Sequence, residues 1–276
     1  MLGRALAKSE GVRLLAFVFV SNHYVMLLQV ENTEVLSKFM NYLNGNLARE
    51  AGRLHNWPEK FWGRRYTDIP VVDEESLVAR LRYVLAHGVK EGLVERAAEW
   101  PGATCLPALV EGKTLQGVWF DRTAEYYARR RGGKFDKYAF AQTYEVPLSP
   151  LPCWEHLTEQ QRQARVAELV ADIEQEARAN NRALGRKPLG RDRVLSQDPH
   201  GTPKDSKHSP RPLCHAATKA ARKACIQAIR AVQVTYRAAA KLVSEGRAAE
   251  AEFPPGCFPP ALPFVAGEPA AVALSP

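Results

Sequence analysis

Residues 12–30 read VRLLAFVFVSNHYVMLLQV, and this stretch decides the fold. Residues 12–20 are an almost continuous apolar run, rich in β-branched and aromatic side chains, which predicts a strand buried on both faces. Ser21 and Asn22 supply a turn. Residues 23–30 then predict the returning strand of a hairpin, so we expect an antiparallel sheet.

A long amphipathic helix is predicted after the hairpin. Apolar side chains recur at helical spacing between Leu36 and Leu54. Either Asn32 or Thr33 can cap the first turn. The helical pattern then breaks, and residues 61–72 (FWGRRYTDIPVV) predict a loop that enters another strand.

A second helix is predicted to begin after Asp73. Two glutamates follow this residue and place carboxylates at the positive end of the helix dipole. The apolar pattern continues to about Gly88. The order strand, strand, helix, strand, helix indicates an α+β fold in which helices cover one face of an antiparallel sheet.

The composition of the sequence changes after this core. We assign the core to residues 1–115 and a basic, mainly helical extension to residues 116–276. Helices are expected over about 158–183 and about 214–245. Proline-rich sequence predicts a linker at residues 188–212 and a tail that spans residues 253–264.

The positive charge of the chain is unevenly distributed. The net charge is +8, and residues 1–115 contribute 14 Lys and Arg against 13 Asp and Glu. Residues 116–276 hold the other 24 basic residues against 17 acidic ones. A basic surplus favours a polyanionic partner, and nucleic acid is the usual one.

Membrane insertion and secretion are not expected. The sequence contains no run of about 18 apolar residues and no small-residue cleavage site after its first apolar run. The five cysteines are odd in number and show no C-x-x-C spacing, which is typical of reduced cytosolic thiols and not of a disulfide framework or zinc site. We therefore expect a cytoplasmic protein.

Four residues are placed where chemistry can occur. Tyr83 and His87 are four residues apart on the second helix, so they are neighbours on one helix face. Side chains alternate across a strand, so His23 and Val25 share one face of the sheet. If the helix packs on the sheet, Tyr83 and His87 can face His23.

Several of these segments together resemble the single-tyrosine HUH transposases of the REP-associated type, a bacterial insertion-sequence-type family. The resemblance spans residues 10–100 and includes residues 21–71 and 81–94, the latter reading LRYVLAHGVKEGLV. In that family a strand carries Asn-His-x-His, a long helix follows, a Trp/Gly/Arg/Tyr segment comes next, and a further helix carries Arg-Tyr. The C-terminal segments CHAATKAARKA and FPPALPF are similar to one bacterial subgroup. The resemblance implies a ferredoxin-like or RRM-like core.

The resemblance also implies a mechanism. Tyr83 would attack a DNA phosphate to give a 5′-phosphotyrosine and a free 3′-hydroxyl. Phenol is a weak nucleophile near neutral pH, so a metal would polarise the phosphate. The family holds Mg²⁺ or Mn²⁺ with two strand histidines and a polar side chain four residues after the tyrosine. His23 matches the first of these ligand positions and His87 the third.

Two departures from the family pattern bear on activity. Val25 occupies the position of the second histidine, and an isopropyl group cannot coordinate a metal. His55 or Asp68 can be considered as a substitute ligand, although the spacing does not select either. The family also opens with a strand that this sequence does not show, so either the true start lies upstream or this is a decaying copy.

Basic and aromatic residues mark the expected DNA contacts. Mixed aromatic and basic side chains suit base stacking and phosphate contact, and the late helix presents its positive charges within about 100° of arc. The alternatives are a loop anchored by a buried tryptophan and solvated basic surfaces. The predicted DNA-binding residues are Trp62, Arg64, Arg65, Arg129, Arg130, Arg131, Lys219, Lys223, Arg230 and Arg237.

The favoured hypothesis is a DNA transposase of a bacterial mobile element, acting in the cytoplasm at the nucleoid. It would bind single-stranded or hairpin DNA at repetitive extragenic palindromes as a monomer or homodimer. The first alternative is a catalytically inactive DNA-binding remnant of such an enzyme. The second is a metal-independent ribonuclease on the same sheet, with His23 and Tyr83 as acid and base, which would require the 2′-hydroxyl of RNA.

Overall fold

The computed structural model describes residues 1–132, 134–136, 138–201 and 212–260. The chain divides into two compact units, Met1–Arg222 and Lys223–Pro276. The first unit contains all four β-strands of the described residues together with most of the helices. The division of the sequence at residue 115 stays a prediction.

The predicted hairpin is confirmed. After a short helix α1 (Leu2–Ala7), strand β1 (Val12–Phe19) pairs antiparallel with β2 (Tyr24–Val30). Five consecutive residues of β1 are buried, as expected for a strand covered on both faces. The register places Val18 opposite Val25.

The two helices of the core are also confirmed, and both begin at a side-chain cap. Helix α2 (Thr33–Leu54) is capped by Asn32, which accepts a hydrogen bond from the Val35 amide at 2.9 Å. Helix α3 (Glu74–Lys90) is capped by Asp73, which accepts from the Ser76 amide at 2.8 Å. The buried face of α3 packs against the hairpin, so the α+β fold class is confirmed.

The strand predicted within residues 61–72 is wrong. Residues 55–73 are all described, and their β-pairing consists of one isolated parallel bridge between Val71 and His215. Pro70 has no amide hydrogen to donate to a ladder, so only its carbonyl takes part, accepting from the His215 amide at 2.8 Å. On the edge of β1 that does not pair with β2, Val18 forms an isolated antiparallel bridge with Thr104.

A second hairpin lies in the region for which only helices were predicted. Strands β3 (Gln116–Phe120) and β4 (Ala141–Glu145) pair antiparallel. They follow the short helix α4 (Leu106–Glu111), and helix α5 (Arg122–Arg130) lies between them in the sequence. Helix α5 has no buried residue. The extension therefore contains a small sheet as well as helices.

Two further helices belong to the first unit. Helix α6 (Glu159–Ala183), which was predicted, begins at a capping box formed by Thr158 and Gln161 and packs against α3 and α4. A short helix α7 (Arg191–Leu195) lies within the predicted linker. The part of that linker at residues 202–211 is outside the described residues.

The second unit consists mainly of helix α8 (Lys219–Ser244). The first residues of this helix, up to Arg222, belong to the first unit. The helix confirms the prediction over residues 214–245, with a later start. Within this unit the Tyr236 ring lies edge-on to Phe253 at 5.4 Å, and its hydroxyl donates to the Phe258 carbonyl at 3.2 Å. Residues 261–264 of the predicted tail are outside the described residues. Of the helices that the structure describes, none is long and apolar enough to cross a membrane.

The five cysteines are all free thiols, as their number and spacing indicated. Cys105 and Cys214 are buried, and the other three are half-buried. Burial raises the pKa of the Cys105 thiol to about 11, so this thiol is unreactive.

Candidate active site

Two histidines that are 64 residues apart in sequence meet at the hairpin. His23 lies immediately before β2, and His87 lies near the end of α3. Their Nε2 atoms are 2.7 Å apart, and their rings cross at 70° with centroids 4.9 Å apart. His87 is only 3% exposed, so this contact lies at the buried end of a polar cluster.

The neighbours of the two rings determine where their protons lie. The Nδ1 atom of His23 is 2.6 Å from the Asn22 side-chain oxygen. An amide oxygen can only accept, so His23 Nδ1 carries the proton and its Nε2 presents a lone pair. His87 Nε2–H therefore donates to His23. The remaining nitrogen of His87, Nδ1, is buried and has no hydrogen-bond partner among the described residues.

Both imidazoles are held in the neutral form. Desolvation lowers the pKa of His23, and Glu91 opposes that shift. Desolvation also lowers the pKa of His87, with further lowering by His23 and Lys90 and an opposing effect of Glu91. The neutral imidazole is the form that accepts a proton or coordinates a metal.

Tyr83 completes the cluster, as its spacing from His87 predicts. The two rings are edge-on at 77°, with centroids 5.3 Å apart. Tyr83 is half-buried, which leaves its side chain accessible from solvent. The structure thus brings together the predicted nucleophile, Tyr83, and the two predicted metal ligands, His23 and His87.

Two cations beside Tyr83 were not predicted from the sequence. The Arg80 guanidinium lies 5.1 Å from the centroid of the Tyr83 ring, and the Lys90 ammonium lies 5.0 Å from it. Positions three before and seven after a residue share its helix face, so helical spacing was the signal that could have found them. Together they place positive charge beside the Tyr83 ring.

The metal ligands implied by the resemblance are not all present. Val25 stands opposite Val18 in the hairpin and packs against the hydrophobic core. The described residues contain no group of three histidine, cysteine or acidic side chains that could hold a metal ion. Neither His55 nor Asp68 therefore completes a site with the two histidines, whose Nε2 atoms already bond each other. The donors do not fit the expected metal site.

The loop after α2 carries the first group of predicted DNA contacts. The half-buried Trp62 ring lies edge-on to Tyr24 and Phe61, and its indole nitrogen donates to the Asn44 carbonyl at 2.9 Å. Trp62 therefore anchors its loop on α2. Arg64 and Arg65 are exposed beside it.

The other predicted DNA contacts lie on two separate helices. Arg129 and Arg130 end α5, and Arg131 follows it; all three are exposed. The structure does not bring these arginines to the Tyr83 ring, whose cation neighbours in the described part of the chain are Arg80 and Lys90. On α8 the predicted basic residues are all exposed as well. These are Lys219, Lys223, Arg230 and Arg237.

Comparison with known families gives one match. Residues 2–87 match the family model described as "Transposase IS200 like". The matched segment is 86 of the 276 residues, and it contains His23, Tyr83 and His87. No curated protein and no solved structure matches the chain. The match supports a transposase family, a DNA-processing function and DNA as the partner.

Proposed function

We propose that this chain is a transposase-like enzyme that binds single-stranded or hairpin DNA, such as repetitive extragenic palindromes, and cleaves and rejoins it. The observation that carries the proposal is the convergence of Tyr83, His87 and His23 inside the segment that matches the transposase family. Tyr83 is the nucleophile of the proposed reaction.

The proposed reaction exchanges one phosphate ester for another. The Tyr83 phenol oxygen forms a bond to phosphorus, and the bond from phosphorus to the 3′-oxygen breaks. The products are a 5′-phosphotyrosine and a free 3′-hydroxyl, which takes up a proton in place of the one that the phenol loses. Since the ester bond is conserved, attack by another 3′-hydroxyl rejoins DNA without ATP.

The side chains around Tyr83 suit this reaction. His87 is neutral near pH 7 and lies against the Tyr83 ring. The atom of His87 that can accept the phenol proton is its unpartnered Nδ1, and its Nε2–H can then pass a proton to His23. Arg80 and Lys90 can bind the attacked phosphate and stabilise the charge that develops on it. Binding of Mg²⁺ or Mn²⁺ at His23 and His87 stays a prediction.

The expected DNA-binding surfaces are the loop with Trp62, Arg64 and Arg65, the end of α5, and the basic face of α8. The proposed protein works in the bacterial cytoplasm, at the nucleoid, as a monomer or homodimer. One tyrosine cleaves one strand at a time, so complete transposition requires either two copies or two sequential reactions.

A second candidate function is a DNA-binding remnant without catalysis. The observation that favours it is Val25, which leaves two histidines bonded to each other where three metal ligands are expected. Loss of one of three ligands is expected to weaken metal binding by more than the roughly 10–100-fold typical of outer-shell changes. Such a remnant would keep DNA affinity and lose cleavage.

Covalent trapping on a denaturing gel tests the enzymatic proposal. The full chain is incubated with labelled, palindrome-bearing single-stranded DNA in Mn²⁺, Mg²⁺ or EDTA. Tyr83→Phe removes the nucleophile, and Tyr144→Phe is the matched control because Tyr144 lies on β4, where its hydroxyl bonds Gln142. Val25→His supplies the missing imidazole.

An adduct that is lost in Tyr83→Phe and kept in Tyr144→Phe would support the proposal. Dependence of that adduct on Mn²⁺ or Mg²⁺ would confirm the metal prediction, and an adduct in EDTA would contradict it. An adduct from Val25→His alone would establish a scaffold disabled at its metal site. If neither chain forms an adduct while gel-shift binding persists, the remnant is the better account; loss of binding would contradict both.

A further inference from the structure

Helix α5 is an unusual helix because none of its nine residues is buried. Helices in proteins normally owe their stability to a packed apolar face. Here the helix is held by Asp121, which caps the amides of Thr123 and Ala124, and by Glu125, which bonds both Arg122 and Arg129. The helix is thus stabilised without an apolar face packed on the core, and its exposed side chains can contact a ligand.

Helix α5 carries two exposed tyrosines. Tyr126 is 55% exposed and Tyr127 is 56% exposed, and their rings lie edge-on with centroids 5.5 Å apart. Two further exposed aromatic rings, Phe135 and Tyr138, follow in the segment that leads to β4. Neighbouring exposed rings of this kind form a candidate binding surface.

Each tyrosine has an arginine one helical turn later. Tyr126 and Arg130 are four residues apart, as are Tyr127 and Arg131, so α5 and its C-terminal cap present two parallel rows of ring and cation. The Arg130 guanidinium lies 5.8 Å from the Tyr126 ring centroid. We call Tyr126, Tyr127, Arg130 and Arg131 the α5 surface.

The charge of this region remains available to a ligand. Glu125 neutralises Arg129 through two hydrogen bonds of 3.1 and 3.0 Å. Neither Arg130 nor Arg131 forms an ion pair in the described part of the chain. The α5 surface therefore combines flat apolar rings with positive charge that no carboxylate of the described residues neutralises.

We infer that the α5 surface is a second DNA site, separate from the Tyr83 cluster, on which bases of an unpaired strand stack. Exposed rings next to cations match a polymer that alternates flat bases with phosphates. Paired bases cannot offer their faces to the rings, so the site selects single strands. The inference rests on the proposed function only for the identity of the polymer as DNA.

A second copy of the chain or another protein fits the α5 surface less well. Two copies that met through this surface would bring like charges together, which is unfavourable at a symmetric interface. The exposed large apolar residues described between 122 and 140 are all aromatic, so each presents a flat ring on which a base can stack. Positive charge and exposed rings together favour a nucleic acid.

Equilibrium binding of the full chain tests the inference. The background is Tyr83→Phe, which removes the covalent step, and the probe is a labelled single-stranded DNA without a palindrome. Tyr126→Leu with Tyr127→Leu removes both rings and keeps apolar volume, whereas Tyr126→Phe with Tyr127→Phe keeps both rings. Since both positions are exposed, thermal melting is expected to stay unchanged.

The leucine pair is expected to weaken single-strand binding about tenfold or more, because each stacked base contributes roughly five- to a hundredfold in affinity. The phenylalanine pair is expected to bind like the parent chain, and duplex binding is expected not to change in either. Parental affinity in the leucine pair, or equal losses in both pairs, would overturn the inference. Tighter ring-dependent binding of an RNA of the same sequence would also overturn it in favour of RNA.

Two further measurements keep the inference testable if a variant misfolds. Arg131→Gln should reduce the slope of log affinity against log salt by about 0.7, as expected for one phosphate contact, and the exposed Arg191→Gln should leave it unchanged. Photocrosslinking of 5-iodouracil-substituted DNA to the unmodified chain should label the tryptic peptide at residues 123–129, which contains both tyrosines. Labelling elsewhere only would contradict the site.

The two proposals fail in different ways. If the native chain forms no Tyr83 adduct but binds single strands through the rings of α5, the proposed enzyme is contradicted and the α5 surface stands. If the native chain forms the adduct and the leucine pair binds single strands with parental affinity, the α5 surface alone is rejected.

Discussion

His23 and His87 join the turn before β2 to the end of α3 through a hydrogen bond of 2.7 Å between their Nε2 atoms. The bond ties the two core elements of the candidate site together, so the position of Tyr83, one turn earlier on α3, depends on it. Asn22 fixes the tautomer of His23 from the other side. The pair is thus both the chemical centre of the cluster and a structural link.

The first prediction concerns the pH dependence of stability. The pKa values of both histidines are lowered from 6.5, so below that pH the unfolded chain binds more protons than the folded one. The free energy of unfolding should therefore fall as the pH drops through about 6.5, until the folded-state pKa values are passed. Urea unfolding at pH values about one unit above and one unit below this point measures the loss.

The double variant His23→Gln with His87→Gln should lose less stability over the same pH interval, because its two side chains no longer titrate. The exposed His156→Gln is the control and should follow the native chain. An equal loss in the double variant would mean that other groups, such as His215, whose pKa burial also lowers, dominate this interval.

The second prediction concerns the cations beside Tyr83. Arg80→Gln and Lys90→Gln should each slow formation of the covalent adduct at saturating DNA by about tenfold, as expected for one charged contact to the reacting phosphate. Arg82→Gln is the matched control on the same helix, since Arg82 pairs with Glu176 at 2.6 Å. Equal slowing in all three variants would point to a general effect of charge on DNA binding.

The third prediction concerns Val25. Val25→His should lower the melting temperature without metal, because Val25 packs against the core, and should make the protein bind Mn²⁺. A ligand that binds only the folded state raises its melting temperature, so Mn²⁺ should stabilise Val25→His and not Val25→Gln. Equal stabilisation of the native chain by Mn²⁺ would mean that its two histidines suffice.

Sequence patterns predicted the parts of this site that depend on local periodicity. Helical spacing placed Tyr83 and His87 on one face, and their meeting with His23 was predicted on the condition that the helix packs on the sheet, which it does. The strand predicted before Asp73 does not form, because Pro70 interrupts the ladder. The one residue that pairs with this segment, His215, is distant in sequence. Long-range pairing leaves little trace in local composition.

The second hairpin was missed for a related reason. Strands β3 and β4 are short and largely exposed, so they lack the apolar alternation that marks a half-buried strand. Arg80 and Lys90 were overlooked because basic residues on a helix are usually solvated. Helical spacing places both on the face of α3 that carries Tyr83, and the structure shows that their charges lie 5.1 and 5.0 Å from the centroid of its ring.

The last prediction concerns Asp73, which holds two segments with one carboxylate. One oxygen accepts from the Ser76 amide at 2.8 Å and caps α3, and the other accepts from the Ala217 amide at 2.8 Å. These hydrogen bonds lower the pKa of Asp73, so the carboxylate is ionised near neutral pH. Asp73 therefore connects the extension directly to the first turn of α3.

Asp73→Ala should lower the melting temperature by about 2–4 °C, as expected for the loss of an N-cap, and should also slow adduct formation by loosening α3. Asn32→Ala is the matched control: it removes the cap of α2, which makes no bond to residues 212–217 among the described contacts. Differential scanning calorimetry and covalent trapping on the same samples separate the two effects. If both variants slow the reaction equally, general destabilisation explains the loss; slowing in Asp73→Ala alone means that this carboxylate, through its cap on α3 and its bond to Ala217, helps to hold Tyr83 in place.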